Sequence, residues 1–270
     1  MSEDPDDPQR RLTDLLDVER VGRDSFRGST GEGGWRLFGG QVASQALRAA
    51  AATVRADHHV NSLLAYYLRP GLYGPPVTFT VDRIRDGRSF TTRRVVADQG
   101  GEAILNLDAS FHAQEPGPES HPPSPVPRVH PPERAAPQLR RPPWMRRRPV
   151  EMRHVDGPTP TARTVWVKAA HGLPDDPVLH ACLVTYVTDM GPVGVVSASV
   201  GEAPGTLMMA SLDHCLWFHR PVRADDWLLY VLDAVKAGQG RGLAWGSVWT
   251  RSGDLAATVA QEVLARPRDP

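Results

Sequence analysis

The chain has 270 residues, 40% of them hydrophobic, with 31 acidic and 31 basic side chains. That is apolar material for one large or two modest cores, and a zero formal net charge excludes bulk electrostatic attraction to nucleic acid or to an anionic membrane surface. The two cysteines, Cys182 and Cys215, both lie in apolar patterns, which fits reduced core thiols in a cytoplasmic protein.

The opening MSEDPDDPQRR is acidic and has no apolar h-region, so residues 1–10 read as a disordered lead-in and not a secretory signal. No apolar run is long enough to span a bilayer. A short mixed periodic segment, Arg11 to Val21, leads into the Gly-rich loop GSTGEGGW, which lacks the strand–GxGxxG–helix context of a nucleotide fingerprint. Gln41 to Val54 is predicted as a helix whose apolar face is made of Val42, Ala43, Ala46, Leu47, Ala49, Ala50 and Val54. Gly39 and Gly40 before it either form a plain tight turn or leave helix N–H groups, as far as Gln41, open to close approach by a ligand oxygen. Strands are predicted at Asn61–Arg69, Val77–Arg85, Ser89–Asp98 and Ala103–Ala113, each bounded by Gly, Pro or Asp-Gly turns. A helix followed by an antiparallel meander is an α+β pattern.

Residues 114–149 are rich in Pro and Arg and almost without periodicity, as in a linker. Arg140, Arg141, Arg146, Arg147 and Arg148 around Trp144 carry the residue types that grip phosphates, but one short cluster without a folded basic face is better read as a solvated connection. Strands follow at Val150–Val155 and Thr164–Ala170, then the helix Asp176–Met190, DPVLHACLVTYVTDM. That helix is apolar on almost every face and must be buried. Asp176 is its N-cap, Pro177 fits the first helical position, and Gly191-Pro192 ends it. Asp189 is the exception: a carboxylate in the last turn faces the negative end of the helix dipole at a cost of about 0.3–1 kcal/mol, which favours its protonated form. It is either a solvated turn residue or a functional one. Ser211–Pro221, Trp227–Ala237, Leu243–Arg251 and Leu255–Ala265 complete a second meander. Arg69-Pro70 maps to Arg220-Pro221, Gly87 to Gly240 and Gly100 to Gly253, so the halves repeat each other, each one helix wrapped by an antiparallel sheet.

This architecture and the strings FGGQVASQAL, YYLRPG, RDGRSFTTRRVVA, PDDPVLHACLVTYVTD, SLDHCLWFHRP, WLLY and VAQE resemble the double-hotdog acyl-CoA thioesterase II family. The resemblance implies an N-terminal hotdog domain over 1–113, a linker over 114–149 and a C-terminal hotdog domain over 150–270. It also implies hydrolysis of fatty acyl-CoA to free fatty acid and CoA. In that family a carboxylate ending the second hotdog helix, a Ser or Thr before the D-H pair and a Gln in the last strand activate a water; these fall on Asp189, Ser211 and Gln261. Some relatives have a His in the strand before the Y-F-L-R-P-G string, where this chain has Leu64, so any role of that His is absent here.

The residues themselves keep other readings open. Gln261 alternates with Leu255, Ala257, Val259 and Val263, so its amide is buried if that face packs on the helix, whether for structure or for catalysis. Ser211 also fits a strand-start hydroxyl. Asp213 lies two residues on and is the rival carboxylate, and His214 and His219 are more often satisfied side chains than bases. In the first half, the place of Gln261 falls on Asp108 or Ala109, which suggests one pocket per chain.

A thioester is an activated acyl group whose thiolate leaves with a pKa of about 8–9, so a positioned water suffices, with backbone N–H groups near Gly40 and Gln41 holding the oxyanion. There is no GxSxG elbow, and no motif implies a metal or nucleotide cofactor. A hotdog enoyl-CoA hydratase and a non-catalytic acyl-CoA-binding module are the alternatives. The strand at Ser211–Arg220 carries apolar groups on both faces, Leu212, Leu216 and Phe218 on one and Cys215 and Trp217 on the other. A single helix covers only one of them, which predicts a homo-oligomer.

Overall fold

The computed structural model describes residues 8–31, 36–120, 126–137, 150–157, 162–201 and 205–268. The arginine cluster around Trp144 lies outside them, as does part of the Gly-rich loop. The first half contains α1 (Pro8–Leu16), β1 (Glu19–Arg20), β2 (Ser25–Gly28), α2 (Gly39–Ala51), β3 (His58–Tyr67), β4 (Val77–Asp86), β5 (Phe90–Gln99) and β6 (Glu102–Ala113). The second contains β7 (Ala136–Pro137), β8 (Val150–Val155), β9 (Arg163–Ala169), α3 (Pro177–Thr188), α4 (Pro192–Ser199), β10 (Leu207–Ser211), β11 (Asp213–Phe218), β12 (Leu228–Gly238), β13 (Arg241–Thr250) and β14 (Leu255–Pro267).

The strands form one sheet in the order β1-β2-β4-β5-β6-β3-β11-β14-β13-β12-β9-β8-β7, with β10 also paired to β14. The two halves therefore join edge to edge at β3 and β11. There Leu63 pairs with Leu216, Leu64 with Cys215 and Ala65 with His214. This pattern has an approximate two-fold axis at Leu64–Cys215, relating Leu63 to His214 and Tyr67 to Phe218. Carried through β6 and β14, where Asp108 faces Leu64 and Ala260 faces Cys215, the same relation puts Ala109 at the place of Gln261.

The helices α2 and α3 pack against each other beneath this sheet. Small residues make the contact close: Ala43, Ala46, Ala49 and Ala50 are buried along α2, and Ser44 Oγ donates to the Cys182 carbonyl at 2.9 Å. Asp176 caps α3 as expected, accepting from the Val178 and Leu179 N–H groups at 2.9 and 3.3 Å. Its other oxygen pairs with Arg48 of α2 at 2.6 Å.

Several sequence expectations need correction. The helix predicted from Gln41 begins at Gly39, so the glycine pair is its first turn, and it ends at Ala51. Gly191-Pro192 does end α3, but the same Gly and Pro open α4, Pro being as well suited to a helix start as to a stop. With α4, Pro177–Ser199 is long and apolar enough by length and composition to cross a membrane, contrary to the reading that no such run exists. However, 78% of its most apolar window is buried inside the protein. The strand expected from Ser211 to Pro221 is two: β10 ends at Ser211 and β11 begins at Asp213. At the break, Leu212 donates its N–H to the Glu262 carbonyl and accepts from the Tyr67 N–H, both at 2.9 Å. Leu255 packs with an outer cluster of Trp166, Trp227, Leu229 and Trp249, because the pairing of β13 with β14 shifts register between Val248 and Trp249. The described end of the expected linker is folded over that cluster, with Ala135 buried and the Trp166 indole donating to the His130 carbonyl at 2.8 Å.

Candidate active site

The site gathers where the end of α3 meets the start of α2. Asp189 is the C-cap of α3 and is only 7% exposed. On the sequence it is a charge at the wrong end of its own helix. In the fold it also faces the right end of another: a Cβ built on Gly39 would lie 3.1 Å from Asp189 Oδ2. The N-terminus of α2, the positive end of its dipole, is therefore against the carboxylate. The N-cap residue Phe38 has no capping side chain, so the N–H groups of this first turn are the kind of donor that binds a ligand oxygen.

Three of the expected residues are brought together. Ser211 Oγ donates to Asp189 Oδ1 at 3.4 Å, a long bond of the kind that tightens when substrate or water arrives. Gln261 Nε2 donates to Ser211 Oγ at 2.7 Å, and Gln261 is wholly buried. Ala257, Val259 and Val263, on the same face of β14, are buried with it.

The chain of bonds extends further than the sequence showed. Gln261 Oε1 lies 2.6 Å from His214 Nδ1. An amide oxygen can only accept, so the His214 proton is on Nδ1. Nε2 then accepts from the Thr188 hydroxyl at 3.0 Å, with the Val184 carbonyl a second acceptor for that proton at 2.8 Å. Every donor thus points the same way, from Thr188 through His214, Gln261 and Ser211 to Asp189. Burial lowers the His214 pKa, against the pull of Asp189, Gln261 and Asp213, and keeps the ring neutral. With both ring nitrogens engaged inside the protein, His214 orients Gln261 and has no free base.

The turn that carries Asp189 is held from below. The Tyr230 hydroxyl donates to the Thr188 carbonyl at 2.8 Å, and Arg163 donates to the Met190 carbonyl at 3.1 Å. Burial raises the Tyr230 pKa, with the Arg163 charge opposing, so it remains a donor.

Other expected residues are placed elsewhere. Gln41 donates its amide N–H groups to the Ser29 and Thr30 carbonyls and its backbone N–H to the Phe38 carbonyl. It braces the start of α2, and of that trio Gly39 and Gly40 keep backbone N–H groups not spent on the Phe38 carbonyl. Asp213 accepts from the Glu262 N–H at 2.7 Å, and burial, with the Glu262 charge, raises its pKa. The break at Leu212 undoes the strict alternation that would have put it beside Ser211. His219 is exposed and meets Thr258. Both cysteines are held as thiols: burial pushes Cys182 up to about 12 and Cys215 up to about 11.

The first half has no twin of this site. Ala109 replaces Gln261, Leu63 replaces His214 and Val60 replaces Ser211. Opposite Ala109 stands Arg93, buried, its guanidinium bonded to the Thr53 hydroxyl and carbonyl at 2.8 and 3.1 Å. Opposite Gln261 stands the small side chain of Ala244. The sequence does not point to Thr188 or Tyr230, and it offers His214 only as a satisfied side chain, without its bond to Gln261. Thr188 has one local signal, a hydroxyl next to Asp189 at the end of a largely apolar helix.

Comparison with known proteins gives a consistent picture. Residues 26–112 match the family described as acyl-CoA thioesterase N-terminal domain, and residues 118–265 the acyl-CoA thioesterase C-terminal domain. The chain is 37% identical over 287 residues to acyl-coenzyme A thioesterase 8 of Mus musculus, covering 94% of this chain and 88% of that protein. It is 31% identical over 278 residues to acyl-CoA thioesterase 2 of Haemophilus influenzae, covering 94% and 96%. Among solved structures it is similar to the acyl-CoA thioesterase II TesB2 from Mycobacterium marinum. That similarity has a TM-score of 0.84 and 36% identity, over 96% of this chain and 99% of that one. A hotdog-fold protein from Alicyclobacillus acidocaldarius, 20% identical with a TM-score of 0.81 over 96% of this chain, shares the fold.

Proposed function

The chain belongs to the acyl-CoA thioesterase family, and from that premise we propose that it hydrolyses fatty acyl-CoA with a water activated by Asp189 and oriented by Ser211 and Gln261. The single observation that carries the assignment is the directed chain of donors that ends on a carboxylate set against the start of α2. Asp189 accepts a proton from the water as its oxygen bonds to the thioester carbon. The carbonyl oxygen becomes an oxyanion, held by the N–H groups of Gly39 and Gly40. When the tetrahedral intermediate collapses, the C–S bond breaks and the thiolate leaves as CoA, needing little help because its pKa is about 8–9.

The engaged nitrogens of His214 and the separate placement of Asp213 weigh against the hydratase alternative. Two free cysteines support a reducing, cytoplasmic setting, and a fatty acyl substrate would place the enzyme in lipid metabolism. The outer face of the sheet supports self-association. Thiol release measured with a series of saturated acyl-CoAs is the test. Stoichiometric free thiol and fatty acid are expected, whereas tight binding without thiol release would make the protein a binding module.

A further inference from the structure

Tyr67 ends β3 on the opposite side of Gly39 from the helix. A Cβ built on Gly39 would lie 2.7 Å from Tyr67 Cε1 and 3.0 Å from Tyr67 Cζ, as well as 3.1 Å from Asp189 Oδ2. The phenol and the carboxylate therefore flank the same Cα, and Gly is required there because any side chain would collide with both. The Tyr67 hydroxyl is buried, and it is one of the few such groups among the described residues with no hydrogen-bond partner. A buried unpartnered donor costs stability and calls for a reason. Its approach to Asp189 falls short of a completed hydrogen bond but is close enough to be felt as one: burial first, then the Asp189 charge and hydrogen bonding toward that carboxylate, raise the Tyr67 pKa well above its ordinary value. The phenol is thus always protonated.

The reaction needs donors of two kinds, and one kind is already spoken for. Hydrogens on Thr188, His214, Gln261 and Ser211 all run toward Asp189, the proton acceptor. The oxyanion forms on the other side of the reacting carbon, at the start of α2, where the side-chain donor still without an acceptor is Tyr67. Its two-fold mate in the other half is Phe218, so the hydroxyl belongs only to the half-site that carries Asp189. We propose that Tyr67 is a further catalytic residue: its hydroxyl donates to the thioester carbonyl oxygen and, with the Gly39 and Gly40 N–H groups, holds the oxyanion. This rests on the water-activation reading above.

The test uses the full chain and the variant Tyr67→Phe, which keeps the ring, beside Asp189→Asn. On a saturated acyl-CoA, Tyr67→Phe should lower kcat about 10²-fold, the loss typical of one oxyanion donor, while KM changes only a few-fold and the acidic limb of kcat/KM stays where it is. Its melting temperature should be unchanged or higher, since an unsatisfied buried hydroxyl has gone. In the Asp189→Asn background, infrared spectra of a bound acyl-CoA with a labelled thioester carbonyl should show a red-shifted stretch that Tyr67→Phe moves back toward its solution value. Wild-type kcat in Tyr67→Phe, while Asp189→Asn is impaired, overturns the proposal and leaves the water-activation reading standing. So does a displaced acidic limb with an unmoved carbonyl stretch, which would make Tyr67 a positioning residue for Asp189. Wild-type kcat in Asp189→Asn overturns the water-activation reading and the oxyanion proposal built on it.

Discussion

Gln261 Nε2 donates to Ser211 Oγ at 2.7 Å while Gln261 Oε1 accepts from His214 at 2.6 Å. One amide in β14 thereby fixes both the residue that meets the base and the residue that orients the amide. Groups that hold one water act as a unit. Ser211→Ala and Gln261→Ala should each lower kcat, and the double variant should lose much less than the product of the two single losses. Kinetic double-mutant cycles on a single acyl-CoA check this, and multiplicative losses would mean that the two residues act separately.

The neutral His214 makes stability depend on pH. Its folded pKa lies below the unfolded value, as do those of His154, His180 and His219, each lowered first by burial. Between the two values the unfolded chain binds more protons, so stability falls as pH drops below about 6.5. Urea midpoints should decrease from pH 8 to pH 5. In His214→Leu, which copies Leu63 of the other half, the midpoint at pH 8 should be lower because Gln261 loses a donor, and its further fall toward pH 5 should be shallower. An equal slope would show that His214 is not among the groups responsible.

Asp176 does two jobs in one carboxylate, capping α3 and pairing with Arg48 on α2. Burial acts to raise its pKa, but Arg48 and the capped N–H groups outweigh it and hold the carboxylate below its ordinary value. Asp176→Ala should cost about 1 kcal/mol for the cap, with loss of the partly buried ion pair to Arg48, 28% and 31% exposed, adding to it. Because the folded pKa is depressed, this contribution is fully present above about pH 4 and is lost as pH falls through the lower folded value. The stability difference between variant and wild type in denaturant unfolding should therefore be constant from pH 7 down to about pH 4 and narrow below it.

Two exposed tryptophans, Trp217 at 40% and Trp245 at 49%, lie 6.2 Å apart on the outer face of the sheet. Leu64 and Cys215 lie at the centre of the same joint between the halves. An apolar patch of this kind on a sheet face points to another protein surface. Light scattering at micromolar concentration should give a mass above that of one chain, and Trp217→Ser with Trp245→Ser should lower it. A monomer in the wild type would refute self-association through this face.

The legible parts of this fold were those with local causes. The all-round apolar α3, with Asp176 and Pro177 at its start, and the strands between Gly and Asp-Gly turns follow from neighbouring residues. So does the burial of Gln261 among Val259 and Val263. The break at Leu212 has no local signal, because Leu is an ordinary strand residue and the bend is made by Glu262 and Tyr67. Pro192 after Gly191 signals a helix stop and a helix start equally well, and the sequence alone gives only the first. The unfavourable position of Asp189 was visible in its own helix, but its favourable neighbour, the start of α2, is supplied by the antiparallel packing of two repeats 150 residues apart. His214 and Thr188 meet only because β11 crosses the end of α3, which no spacing along the chain encodes.

The central claim is that Asp189 takes the proton from the attacking water, and kcat of Asp189→Asn measured by thiol release tests it most directly. The substitution keeps the shape and the bond from Ser211 but removes the acceptor. We expect kcat to fall by about 10²–10⁴, the range for a lost general base, with acyl-CoA still bound and the melting temperature near that of wild type. A variant that retains wild-type kcat on every acyl-CoA that the parent hydrolyses would contradict the account.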